Sequence, residues 1–80
     1  MENNLQKVSD LGLATILLTL RFELVDLVRA DEKRVHFVFR HGEGFDKAVS
    51  DYWAGIEIPI SVQSLFANQK TLKNRLYALK

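Results

Sequence analysis

The chain predicts an α+β fold, a small antiparallel sheet built on a β-hairpin with a short third strand, carrying three helices in the order α-β-β-α-(β)-α. Three observations predict it. Two stretches rich in Val, Phe and Leu, Phe22–Arg29 and Arg34–Arg40, flank a polar connection at Ala30–Lys33. Apolar residues recur with helical spacing on both sides of that hairpin. Gly42, Gly44, Gly55 and Pro59 fall where elements have to stop. Helices laid on one face of a small antiparallel sheet satisfy all of these together.

The elements follow in order. Ser9 and Asp10 mark a helix start, Ser9 as the cap and Asp10 facing the positive end of the helix dipole. This first helix runs to Leu20, and Leu11, Leu13, Ala14, Ile16, Leu17, Leu18 and Leu20 cover most of its circumference. A helix apolar nearly all round is buried on several sides, so it is either central or keeps one face for a partner. The hairpin strands come next. Alternation sends Val35, Phe37 and Phe39 to the core and Arg34, His36, Val38 and Arg40 to the other face. After the Gly42–Gly44 break, Phe45, Ala48, Val49, Tyr52 and Trp53 form one helical stripe, which makes Tyr52 and Trp53 core residues. Gly55 supplies the left-handed residue that ends this helix. Pro59 keeps Ile56–Ile60 extended, as a short edge strand. Ser61 caps the last helix, whose core stripe reads Val62, Leu65, Phe66, Leu72, Leu76 and Leu79.

Bulk composition narrows the function classes. The chain of 80 residues is 48% hydrophobic and 26% charged, the balance of one globular domain. A domain this short hides only about 60% of its unfolded surface, so its stability is marginal. It contains no Cys, so neither a disulfide nor a thiolate metal site supplements the core. Met1-Glu2-Asn3-Asn4 lacks the basic start of a signal peptide. The apolar run Leu11–Leu20 is half the about 20 residues that a membrane span needs. A cytoplasmic address and no membrane association are expected.

Charge is unevenly placed. Residues 58–80 contain Lys70, Lys73, Arg75 and Lys80 and no acid, whereas residues 1–57 hold all 10 Asp and Glu. A polyanion would be drawn to the basic end. On a helical wheel Gln63, Phe66, Lys70, Lys73, Asn74 and Tyr77 share one flank of the last helix. The lysines could neutralise phosphates, Tyr77 could stack on a base and Asn74 could reach a base edge. The plainer alternative packs Phe66 and Tyr77 inward and lays the lysines along the core rim. Arg34, His36 and Arg40 form a second basic set on the sheet, the plainer alternative there being cross-strand pairing with Glu23 or Asp26.

Other constellations carry less. Gly42-Glu43-Gly44 lacks both the dinucleotide fingerprint and the P-loop Lys, and Glu43 would repel a phosphate. His36 and His41 are too far apart for a helical His pair, so no metal site is expected. Ser9, Ser50, Ser61 and Ser64 read as caps or surface, and no oriented base stands near any of them. No catalytic residue and no cofactor is expected.

Tyr52-Trp53 with Gly55, then Leu65-Phe66-Ala67-Asn68 with Leu72-Lys73 and Tyr77, come in a recognisable order. Upstream, Leu11, Leu13-Ala14 and Val35, Phe37, Phe39-Arg40 complete the pattern. Together they resemble a family of small domains of unknown function found in prokaryotes and their phages. The resemblance covers nearly the whole chain. It implies a compact α+β module, often carried by mobile elements, and brings no catalytic residue with it.

The expected function is a non-enzymatic binding module. Its first expected partner is nucleic acid, bound electrostatically through Lys70, Lys73, Asn74 and Tyr77 with Arg34, His36 and Arg40. The alternative is a protein–protein adaptor or homodimeric subunit, motivated by the apolar helix Leu11–Leu20.

Overall fold

A computed structural model describes residues 4–79. Its elements are β1 (Leu5–Val8), α1 (Leu11–Thr19), β2 (Leu24–Arg29), β3 (Val35–Arg40), α2 (Phe45–Ala54) and α3 (Val62–Ala78). The fold is α+β, three helices on a three-stranded antiparallel sheet of order β1-β3-β2. The hairpin β2–β3 forms as the sequence predicts. Asp31 closes its loop, its Oδ1 accepting from the N–H groups of Lys33 and Arg34 at 2.9 Å each.

The third strand is the correction. It is β1, with Leu5 opposite Arg40 and Val8 opposite Phe37, and not the segment 56–60. That segment has no ladder partner, and Pro59 has no N–H to give one. Instead Ile56 closes α2, its N–H donating to the Asp51 carbonyl at 3.0 Å behind a left-handed Gly55 at φ 75°. This is the helix-ending geometry that glycine adopts without steric cost.

α1 is central. None of its residues is exposed, and it packs against α3, α2 and β1. Its cap is Asp10 rather than Ser9, because the Asp10 carboxylate accepts from the Leu13 N–H at 2.8 Å. The core joins α1 (Leu13, Ala14, Leu17), the inner sheet face (Val8, Leu27, Phe37, Phe39), α2 (Phe45, Ala48) and Leu72 of α3. Thr15 is buried without an unsatisfied group, since its hydroxyl donates to the Leu11 carbonyl at 2.8 Å.

Two polar ties hold the helices in place. Tyr52 of α2 donates its hydroxyl hydrogen to Asp10 Oδ2 at 2.8 Å. Gly12 makes room for that contact, because a Cβ at residue 12 would lie 2.6 Å from the Tyr52 oxygen. The second tie joins α3 to α1, where Asn68 Nδ2 donates to Thr19 Oγ1 at 3.1 Å. Among the described residues, no helix is long and apolar enough to cross a membrane.

Candidate nucleic-acid interface

α3 starts at Ser61, whose hydroxyl accepts from the Ser64 N–H at 3.2 Å, as its sequence predicts. Its inner stripe differs from the prediction. Leu72 is fully buried, while Leu65 and Leu76 within the helix and Leu79 just beyond it are half-buried. Val62 and Phe66 are 62% and 63% exposed and do not belong to the core. The helix has two apolar arcs. The leucine arc goes inward, Leu72 within the core cluster and Leu76 and Leu79 packed against it.

The second arc faces water. Phe66, Lys70, Lys73 and Tyr77 fall within about 60° of one another at 100° per residue, their centre about 120° round the helix from that of the leucines. Tyr77 is 68% exposed, and Lys70, Lys73 and Asn74 are exposed too. The inward packing of Phe66 and Tyr77 is therefore not what the chain adopts. Between Val62 and Ala78 there is no acid, so no carboxylate of this helix neutralises the stripe. Phe66 also rims an apolar notch of about 160 Å³, lined by Ile16, Tyr52 and Leu65. Lys80 lies outside the described residues.

The sheet residues do not join this stripe. The helices cover the inner face bearing Phe37 and Phe39, and alternation turns His36 and Arg40 to the opposite face. Arg34 is exposed at the start of β3 and His36 is half-buried. Arg40 is paired, its Nε 2.9 Å from Glu23 Oε1, the cross-strand alternative that the sequence offered. Val38, at the centre of that outer face between Lys7 and Asp26, is only 6% exposed.

The Gly42–Gly44 segment is a turn into α2. Gly44 caps the helix at φ 86° with no side-chain cap, and His41 Nε2 lies 3.1 Å from Asp46 Oδ1. Among the described residues, no group of three or more His, Asp or Glu could hold a metal ion. Trp53 is 64% exposed and is not a core residue; it rests edge-on against Tyr52, the ring centroids 4.9 Å apart. The hydrogen bond to Asp10, then partial burial, hold the Tyr52 hydroxyl above the usual tyrosine range.

A family model described as "Domain of unknown function (DUF5659)" matches residues 3–78. The chain belongs to this family. Neither a curated protein nor a solved structure matches the chain. Among the residues that carry the resemblance, Tyr52, Asn68 and Leu72 are those that lock α1, α2 and α3 together. They hold up the fold and name no chemistry. Phe66, Lys73 and Tyr77 are exposed.

Proposed function

We propose that this DUF5659 domain is a non-enzymatic module that binds single-stranded nucleic acid, weakly and electrostatically, through the outward stripe of α3. A cytoplasmic address and an origin in phage or other mobile elements belong to the same proposal. One observation carries it. Two exposed aromatic rings, Phe66 and Tyr77, share a stripe with Lys70 and Lys73 on a helix without acids. Ring faces stack on unpaired bases, and the lysines between them meet phosphates. Scattered apolar residues on a surface need no explanation, but two rings flanking two cations along one line match what a single strand offers. Asn74 lies beside the stripe, able to reach a base edge. The alternative is a protein–protein adaptor or homodimeric subunit that uses α1, where Leu11, Ile16 and Leu18 are half-buried and Ile16 lines the notch beside Phe66.

The test is anisotropy of a labelled single-stranded oligonucleotide titrated with the domain. Two lysines give a slope of about −1.4 in log–log salt dependence, so affinity should fall about sevenfold between roughly 50 and 200 mM salt. Lys70→Glu/Lys73→Glu should abolish binding. Absence of binding at the lower salt, or an affinity indifferent to salt, contradicts the proposal.

A further inference from the structure

Among the described residues, β1 is an edge strand with no partner on its second side. The His41 N–H donates to the Asn4 carbonyl at 2.7 Å, which makes Asn4 and His41 a hydrogen-bonded pair. Antiparallel alternation then turns the backbone groups of Gln6 and Val8 toward β3. The N–H and C=O groups of Leu5 and Lys7 point away from the sheet. β1 also keeps a regular register, whereas β2, the other edge, is irregular between Leu24 and Asp26.

Beside β1 lies an open groove of about 660 Å³, bounded by α2. Phe45, Val49 and Trp53 supply its apolar side, and Lys7, Lys33 and Arg34 its cationic rim. Both carboxylates in its lining are already engaged: Asp10 accepts from Tyr52 and Leu13, and Asp46 meets His41. Hydrogen bonds from neutral donors leave Asp10 charged, so three cations against two carboxylates give the lining a formal charge of +1.

We propose that this groove takes an extended peptide of alternating apolar and acidic residues, added as a fourth strand along β1. Main-chain hydrogen bonds to the Leu5 and Lys7 backbone hold it, and alternate side chains give the selectivity. Lys7 lies opposite Val38, on the outer face, and Arg34 has the same parity as His36. Outward side chains of the added strand therefore meet cations, and inward ones meet Val49 and Trp53. A second copy of β1 is a poor occupant, because pairing it with itself brings two Lys7 ammonium groups onto one face. The groove is built by β1 and α2 and shares no residue with the α3 stripe, so it stands independently of the nucleic-acid reading.

The probe is a fluorescein-labelled Val-Glu-Val-Glu-Val-Glu-Val peptide, followed by anisotropy and by the emission of Trp53, the chain's one tryptophan. Saturable binding with a blue shift of that emission is expected, and the Val-Lys counterpart should not bind. Two N-methylated versions, blocked at alternate sets of amides, should separate: the set that faces β1 loses about tenfold or more and the other does not. Lys7→Pro should weaken binding about tenfold beyond Lys7→Ala, since it removes an outward N–H and no ladder bond. The N-methyl comparison decides the matter on the unmodified domain if Lys7→Pro does not fold. Lys70→Glu/Lys73→Glu should bind the peptide as the unmodified domain does. No saturable binding, equal behaviour of the two N-methylated peptides, or loss of peptide binding in that α3 variant overturns the proposal.

Discussion

α1 and α3 pack against each other and use apolar residues in opposite ways. α1 has nine residues, no charge and no exposed position; α3 has 17 residues, of which only Leu72 is buried. In α1 an apolar residue at nearly every position means a helix surrounded by protein. In α3 a comparable supply of apolar residues is split between two arcs, and only one of them meets the core. Hydrophobicity alone therefore does not say which residues hold the fold. The arc that lies over α1 does so, and the other is left for water or for a ligand.

The sharpest way to break this comparison is to truncate one residue from each arc. Leu72→Ala should cost about 2–5 kcal/mol, close to the whole stability of so small a domain. Phe66→Ala should stay within about 0.5 kcal/mol of the unmodified chain. Urea unfolding followed by circular dichroism measures both, and equal losses would mean that the two arcs have been assigned the wrong way round.

Next in size is Gly12→Ala. The added methyl meets the Tyr52 oxygen, so it should destabilise by about 1–3 kcal/mol even though alanine is the better helix former. In a Tyr52→Phe background the closest contact is gone and Asp10 Oδ2 at 3.2 Å remains, so the same substitution should cost less. A thermal-melt double-mutant cycle reads the coupling. Additive effects would place the Tyr52 hydroxyl elsewhere.

A smaller effect follows from the tyrosine proton. Tyr52 holds it more tightly folded than unfolded. Its stabilisation is complete below the ordinary tyrosine pKa of about 10 and is lost as pH rises through the higher folded value. Taking the pH from about 9 to above 10 should therefore lower the melting temperature of the unmodified domain more than that of Tyr52→Phe. Parallel alkaline profiles of the two would contradict the Asp10–Tyr52 tie. Trp53→Ala should likewise change stability by less than about 1 kcal/mol in a urea melt, because the ring is mostly in water.

Much of the fold was legible. The Val/Phe alternation of β3, the glycine at 55 and the serine at 61 each imposed a local geometry that no distant contact overrides. β1 was not legible, because Leu5-Gln6-Lys7-Val8 places an apolar and a polar residue on each face and so shows no period of two. Pairing with β3 makes it a strand, and that information lies about thirty residues away in the chain. For the same reason no local pattern singles out Lys7. Phe66 and Trp53 were assigned to the core because helical spacing identifies a stripe without saying which stripe turns inward. In the candidate site, the alignment of Lys70, Lys73 and Tyr77 was readable from spacing, whereas their exposure depends on how α3 rolls against α1. The separation of Arg34, His36 and Arg40 from that helix is a tertiary fact that no local pattern encodes.

The most direct test measures melting temperature and oligonucleotide affinity on one double variant, Phe66→Ala/Tyr77→Ala. The account predicts an unchanged melting temperature together with a loss of about 1–3 kcal/mol of binding for each stacked base. A variant that melts like the unmodified domain and binds single strands equally well would contradict the assignment of the α3 stripe as the nucleic-acid surface.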